Sequence, residues 1–171
     1  MGRSSNREQI LDAFQWLIVE HGTGNVSLDE TAERAGVSKG GLLYHFPAKT
    51  DLFAALADRL ARAIDAAIVQ APTEPSALIR WYLTAAIDNT HADNTLWRSL
   101  LAATHAVDDA FADSLVELFA RFAGPLRVLA PSLAEHVRLV SDGLYINALL
   151  GSPPLPADHL EQIIAVLIAQ V

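Results

Sequence analysis

Apolar residues recur at helical spacing along almost the whole chain. Ile10, Phe14, Leu17 and Ile18 share one face at i, i+4, i+7 and i+8, and Gly22 supplies a stop after them. The pattern predicts a helix from Ser5 to His21. Ser27-Leu28-Asp29-Glu30 has the form of a capping box, in which Ser27 accepts the Glu30 N–H and the Glu30 side chain reaches back. It opens a short helix that ends at Ala35, before Gly36. Ser38 is a fresh N-cap, and the next helix runs from Lys39 to His45, since Phe46-Pro47 cannot continue it. Phe53, Leu56, Leu60, Ile64 and Ile68 mark a long amphipathic helix from Lys49 to Ala71. Pro72 and Pro75 then break the chain.

The same spacing continues beyond the break. A helix from Ser76 to Thr90 carries Leu78, Ile79, Tyr82 and Leu83. His91 to Asn94 is a turn, and a shorter helix holds Leu96, Trp97, Leu100 and Leu101. Asp108 or Asp109 caps a helix with Phe111, Leu115, Leu118, Phe119 and Phe122, which Gly124-Pro125 stops or kinks. Ser132 to Glu135, after Pro131, reads as a second capping box opening a helix with Val137, Val140, Leu144 and Ala148. A proline-rich connector from Gly151 to Pro156 leads to a last helix from Ala157, with Leu160, Ile163, Ile164, Leu167 and Ile168. No strand alternation and no internal repeat occurs, so the class is all-α. Three parts are expected: a compact head at 1–48, a connecting helix at 49–71 and a helical body at 72–171.

Composition narrows the function. An apolar fraction of 51% is enough for a large core, and the absence of cysteine excludes a disulfide scaffold and a thiol nucleophile. Mean hydropathy is +0.25, yet no apolar run reaches the roughly 18–20 residues of a bilayer span. The start, Met1-Gly2-Arg3-Ser4-Ser5-Asn6, has no signal-peptide core, so a cytoplasmic protein without a membrane partner is expected. Net charge is −8, which argues against unspecific nucleic-acid binding. Its distribution changes that picture. Residues 1–71 carry 7 basic and 9 acidic side chains, net −2, whereas residues 72–171 carry 5 and 11, net −6. Any DNA contact belongs to the first part. His91, Asp93, His105 and Asp109 are too few and too scattered for a metal site, and no cofactor motif is present. There is no G-x-S-x-G, P-loop or HExxH run, so no enzyme is expected.

Two short helices joined at Gly36-Val37-Ser38 form a helix-turn-helix. Leu28, Ala32 and Ala35 of the first are expected to pack against Leu42, Leu43 and Phe46 of the second. The run from Ser27 through Lys49, with Arg7 to Ala13 before it and Leu52-Phe53 after it, resembles the DNA-binding segment of the tetracycline-repressor (TetR) family. The resemblance covers about the first 70 residues; the rest is similar in helical layout alone. It implies an N-terminal three-helix helix-turn-helix domain followed by an all-helical ligand-binding and dimerisation domain. By this resemblance, Ser27 caps the motif against a phosphate. Ser38, Lys39, Gly40 and Gly41 face base edges or phosphates at the start of the recognition helix. Tyr44, His45 and Lys49 contact backbone phosphates. The N-terminal arm from Gly2 to Arg7 is either a disordered tail or a minor-groove element through Arg3 or Arg7. Three positions depart from the family pattern. Leu43 stands where a tyrosine is frequent, Ala48 where a serine caps the next helix, and Thr31 where an aliphatic residue is usual.

The resemblance further implies a homodimer on a palindromic double-stranded operator and an effector pocket among helices between Ser76 and Asn147. Candidate pocket residues are Trp81, Trp97, His105, Phe119, Phe122 and Tyr145. No arginine cluster is available for a polyanion, so a largely apolar small molecule is expected. The last two helices are the candidate dimer surface. On the first, Val137, Val140, Gly143, Leu144 and Ala148 form one stripe, and Leu139, Ile146 and Leu150 form another. On the second, Ile164, Leu167 and Ile168 complete the surface. The function implied is a ligand-responsive repressor, switched by tilt of the connecting helix. The alternative is a module of the same fold, with weakened DNA binding, that serves protein interaction or ligand binding.

Overall fold

The computed structural model describes residues 5–87, 100, 109–149 and 152–171. Among the described residues there are eight α-helices and no strand. They are α1 (Asn6–His21), α2 (Leu28–Ala35), α3 (Lys39–His45), α4 (Lys49–Val69), α5 (Pro75–Ile87), α6 (Asp109–Phe122), α7 (Pro131–Leu149) and α8 (Ala157–Ile168). Short 3-10 turns occupy Thr23–Asn25 and Gly124–Val128. The class is all-α, as the periodicity predicts. The short helix around Leu96 and Trp97, the residues His91, Asp93 and His105, and Leu150 lie outside the described residues. The chain divides into two compact units, 1–63 with 92–118 and 64–91 with 119–171.

In the first unit, helix boundaries are set by local hydrogen bonds. Ser5 Oγ caps α1 and Gly22 ends it with φ of +77°. The capping box on α2 is complete. Ser27 Oγ accepts the Glu30 N–H at 3.1 Å, and the Glu30 carboxylate accepts the Ser27 N–H at 2.9 Å. Gly36 takes the left-handed conformation, φ +68°, so its N–H returns to the Ala32 and Glu33 carbonyls. Ser38 caps α3 by accepting the Gly41 N–H at 3.1 Å. At α4 the missing serine is partly replaced, because Asp51 accepts the Ala48 N–H at 2.8 Å.

The core of this unit contains Ile10, Leu11, Phe14, Leu17 and Ile18 of α1, Ala32 of α2, Leu42 and Phe46 around α3, and Leu52, Phe53, Leu56 and Leu60 of α4. Phe14 and Phe53 meet edge to face at 5.1 Å. Thr31 is fully buried and satisfied, donating its hydroxyl to the Ser27 carbonyl at 2.7 Å. Leu43 is a correction to the packing expected of α3: it is 36% exposed, because Leu42 and Phe46, four residues apart, already face the core. Two polar fasteners hold the helices together. Arg59 of α4 reaches Glu8, Asp12 and Gln15, successive turns of α1, at 2.7, 2.8 and 2.8 Å. The guanidinium holds the Glu8 carboxyl below its usual range. Arg34 of α2 lies 3.2 Å from the ring centre of Trp16 of α1.

The second unit is organised by its core. Leu78, Ile79, Tyr82 and Leu83 of α5 pack with Leu126 and Leu129, with Leu133 and Val137 of α7, and with Leu160, Ile164 and Leu167 of α8. Glu74 opens α5 by accepting the Ser76 and Ala77 N–H groups at 2.9 and 2.6 Å. The second capping box is not formed. α7 begins at Pro131, the favoured first helical position, which places Ser132 inside the first turn. Glu135 turns instead to Arg138, with contacts of 2.7 and 3.1 Å. Arg138 also binds Asp142 at 2.6 Å, and Arg80 ties α5 to Glu161 of α8 at 2.6 Å.

Candidate nucleic-acid interface and helical body

The helix-turn-helix expected from the sequence is α2, the Gly36 turn and α3. Leu42 and Phe46 anchor α3 into the core, which leaves its other side open. Ser38, Lys39, Gly40 and Tyr44 are exposed, and Gly41 and His45 are half-buried. Tyr44 is the most exposed of the large hydrophobic side chains described, at 84%, and meets the His45 ring edge-on at 5.1 Å. A Cβ on Gly40 would meet nothing within 4 Å, so packing does not demand glycine there. A Cβ on Gly41 would come within 3.3 Å of Ser38 Oγ, the atom that caps the helix.

The cations of this surface already have partners. Lys39 Nζ lies 2.9 Å from Asp29 in the first turn of α2. Lys49 is half-buried, with Nζ 5.8 Å from the Phe53 ring centre. Burial pushes its pKa down, and the neighbouring Glu30 acts in the opposite direction. The Ser27 hydroxyl donates to Glu30 at 2.8 Å, so it faces its own helix cap. Arg7 is a correction to the arm reading: it sits in the first turn of α1, over the Phe46 ring at 5.1 Å, and is not part of a tail. Arg3 lies outside the described residues. Asp29, Arg34 and Arg59 were not singled out from the sequence. A signal for Arg59 was present, since Glu8, Asp12 and Gln15 form a polar stripe at i, i+4 and i+7 on α1.

In the helical body, four pocket candidates are described. Trp81 and Phe122 are half-buried with ring centres 5.5 Å apart, and Tyr82 stacks on Phe122 at 5.0 Å. Phe119 and Tyr145 meet edge-on at 6.1 Å. Trp97 and His105 lie outside the described residues. Burial pushes the Tyr82 phenol up to about 12, with Asp142 acting in the same direction. Among the described residues, no group of His, Cys, Asp and Glu is arranged to hold a metal.

The dimer candidates separate by face. Val137, Ile164 and Leu167 are buried in the chain's own core, so these three side chains are not available to a partner. Val140, Leu144, Ala148 and Ile168 are half-buried, and Gly143 is exposed. The second stripe of α7 remains open, with Leu139 and Ile146 53% and 52% exposed. Val166 of α8 is 65% exposed. No described helix is long and apolar enough to cross a membrane.

Comparison with known proteins matches both parts. Residues 10–56 fit the family model for bacterial regulatory proteins of the tetR family, and residues 76–171 fit that for a tetracyclin repressor-like C-terminal domain. Over 47 residues the chain is 43% identical to the transcriptional regulator AcrR of Shigella flexneri, a stretch of 28% of this chain and 22% of that protein. Over 57 residues it is 40% identical to the transcriptional activator FasR of Mycolicibacterium smegmatis, 33% of this chain and 26% of that protein. The matched stretches thus span about a quarter of those relatives' own lengths. The fold is similar throughout to the multidrug binding protein EbrR, solved with malachite green. The TM-score is 0.77 at 20% identity, over 96% of this chain and 98% of that one. With α2 and α3 inside the first match and more than half of the chain inside the second, the chain belongs to the tetracycline-repressor (TetR) family of transcriptional regulators.

Proposed function

We propose that the protein is a cytoplasmic homodimeric repressor that binds a palindromic DNA operator through α2 and α3 and leaves it when a small molecule occupies the helical body. One observation carries the DNA reading. Tyr44, at the end of a helix anchored by Leu42 and Phe46, holds an aromatic side chain almost wholly in water. A folded chain gains nothing from that exposure, while a phosphate can accept from the phenol. Ser38, Lys39, Gly40, Gly41 and His45 share that helix or its cap, and Ser27 and Lys49 flank it. One such motif makes few base contacts, so two copies about 34 Å apart, or at a longer spacing, supply specificity.

The open stripe Leu139–Gly143–Ile146 on α7, with Val166 on α8, supports a two-fold four-helix contact. Val140, Leu144, Ala148 and Ile168 border that stripe. The effector class is a flat lipophilic molecule received among Trp81, Phe119, Phe122 and Tyr145. Malachite green, the molecule bound by EbrR, is a lipophilic cation. A cation suits ring faces and a body of net charge −6 over residues 72–171. Signal transfer runs along α4, which is fastened to α1 through Arg59 and continues into the second unit. Coupling of this kind is typically about 1–3 kcal/mol.

The deciding experiment is selection of duplexes from random and genomic DNA by the purified protein, read by sequencing, then titration with malachite green. An enriched palindrome that is released by the dye is the expected result. Absence of enrichment at low salt overturns the operator reading. Enrichment of a single half-site overturns the dimer. Unchanged DNA affinity with the dye bound overturns the switch. FasR, an activator by name, favours activation as the second reading of the sign; an operator upstream of its promoter, with transcription lost on deletion of the regulator, would establish it.

A further inference from the structure

The start of α3 carries a single cation, Lys39, and that cation is held by an acid on another helix. Lys39 Nζ and Asp29 Oδ2 are 2.9 Å apart, with side chains 57% and 68% exposed. Ten residues separate them, and the complete capping box of α2 and the Ser38 cap of α3 fix the two backbones. An exposed pair of this kind opens easily in water. Against DNA its position matters. Asp29 lies beside the surface expected to meet the duplex, well inside the roughly 8–10 Å over which charges are felt at physiological salt. A carboxylate left alone there is repelled by the phosphates.

An ammonium has three protons to donate. With one directed to Asp29, the remaining two point along restricted directions. A phosphate oxygen lying outside those two directions cannot be met without releasing the carboxylate. An acceptor pair fixed in the groove, such as guanine O6 and N7, can be met while the pair stays closed. We propose that Asp29 is a specificity-determining residue that acts through Lys39: it withholds the ammonium from the phosphate backbone and leaves it available to a base edge. This rests on the reading of α3 as the recognition helix.

The test compares the full-length protein with its Asp29→Asn, Lys39→Met, double and Glu33→Gln variants on the selected operator and on a random duplex of equal length. Glu33 is an exposed acid on α2 outside the Lys39 pair, so it reports the effect of a charge alone. Asp29→Asn is expected to tighten random-duplex binding by about 5- to 10-fold and operator binding by less than about 2-fold. Its salt slope on random DNA should steepen by about one phosphate contact. In the Lys39→Met background the change in the operator-to-random ratio should vanish, and Glu33→Gln should move both duplexes by one common factor. A common factor for Asp29→Asn overturns the proposal, as does a ratio change that survives Lys39→Met. Wild-type protein that selects no sequence overturns the operator reading itself, and is distinguishable because it appears before any variant is made.

Discussion

The two units of this protein reach the same kind of structure by different means. In the first, hydrogen bonds between residues three or four apart draw each helix boundary: Ser27 with Glu30, Ser38 with Gly41, Asp51 with Ala48. In the second, Glu74 caps α5 in the same way, but α7 starts at Pro131 and α8 follows Pro156 without a side-chain cap, and the helices are placed by a shared core of Leu, Ile, Val and Tyr82. Local capping fixes direction as well as length, because each cap orients the first turn it closes. On the proposed operator reading, the placement of Lys39 and Tyr44 gains from that.

The largest expected effects ignore this distinction. Phe14→Ala in the first unit removes a fully buried ring that meets Phe53, and should cost about 3–5 kcal/mol. Ile79→Ala in the second, also fully buried, should cost about 2–5 kcal/mol. Denaturant titration of both variants checks this. If Phe14→Ala costs less than about 1 kcal/mol, the first unit is held by its caps and ion pairs, and burial is the lesser force there.

How much could be read from the sequence follows the same division. The bounds of α2 and α3 could be, because Ser27, Glu30, Gly36, Ser38 and Pro47 each act within a turn of where they stand. The split of α7 into a core face and an open face was visible as two apolar stripes. Which stripe faces inward was not, because Val137 and Leu139 are chemically alike and only the position of α5 and α8 decides between them. Leu43 was misplaced for the same reason. The ion pairs were hidden by distance: Arg59 and Glu8 are 51 residues apart, and Lys39 and Asp29 sit on different helices. The aromatic group of Trp81, Tyr82 and Phe122 joins α5 to α6 across 40 residues that periodicity alone cannot fold back.

Tyr82 offers a way to sharpen the contrast, since it puts a titratable group inside the core of the second unit. Its phenol is pushed up to about 12 from 10.0. The raised value means that the neutral form is the one the fold accepts. The stabilisation is therefore complete below pH 10 and is lost as the pH rises toward 12. A difference of that size corresponds to at most about 3 kcal/mol. Denaturant titrations from pH 9 to 12 should show wild type losing stability more steeply than Tyr82→Phe. Parallel curves would mean that the phenol meets water in the folded state.

The smallest effect is the most direct test of local capping, because the S-x-x-E runs at Ser27 and at Ser132 stand differently against their helices. Ser27 stands before its helix, accepts the Glu30 N–H and receives the Glu30 carboxylate in return. Ser132 stands one residue inside its helix, and Glu135 is drawn to Arg138. Ser27→Ala should therefore cost about 1 kcal/mol, within the range of about 0.5–2 for a lost cap. Ser132→Ala should change stability by no more than about 0.5 kcal/mol, as an exposed site does, and the better helix propensity of alanine should offset part of that. Equal losses at the two positions would mean that the Pro131 start frays and that Ser132 caps α7 in solution. A loss at Ser27 alone identifies the run as a cap only where the residue before the helix carries it.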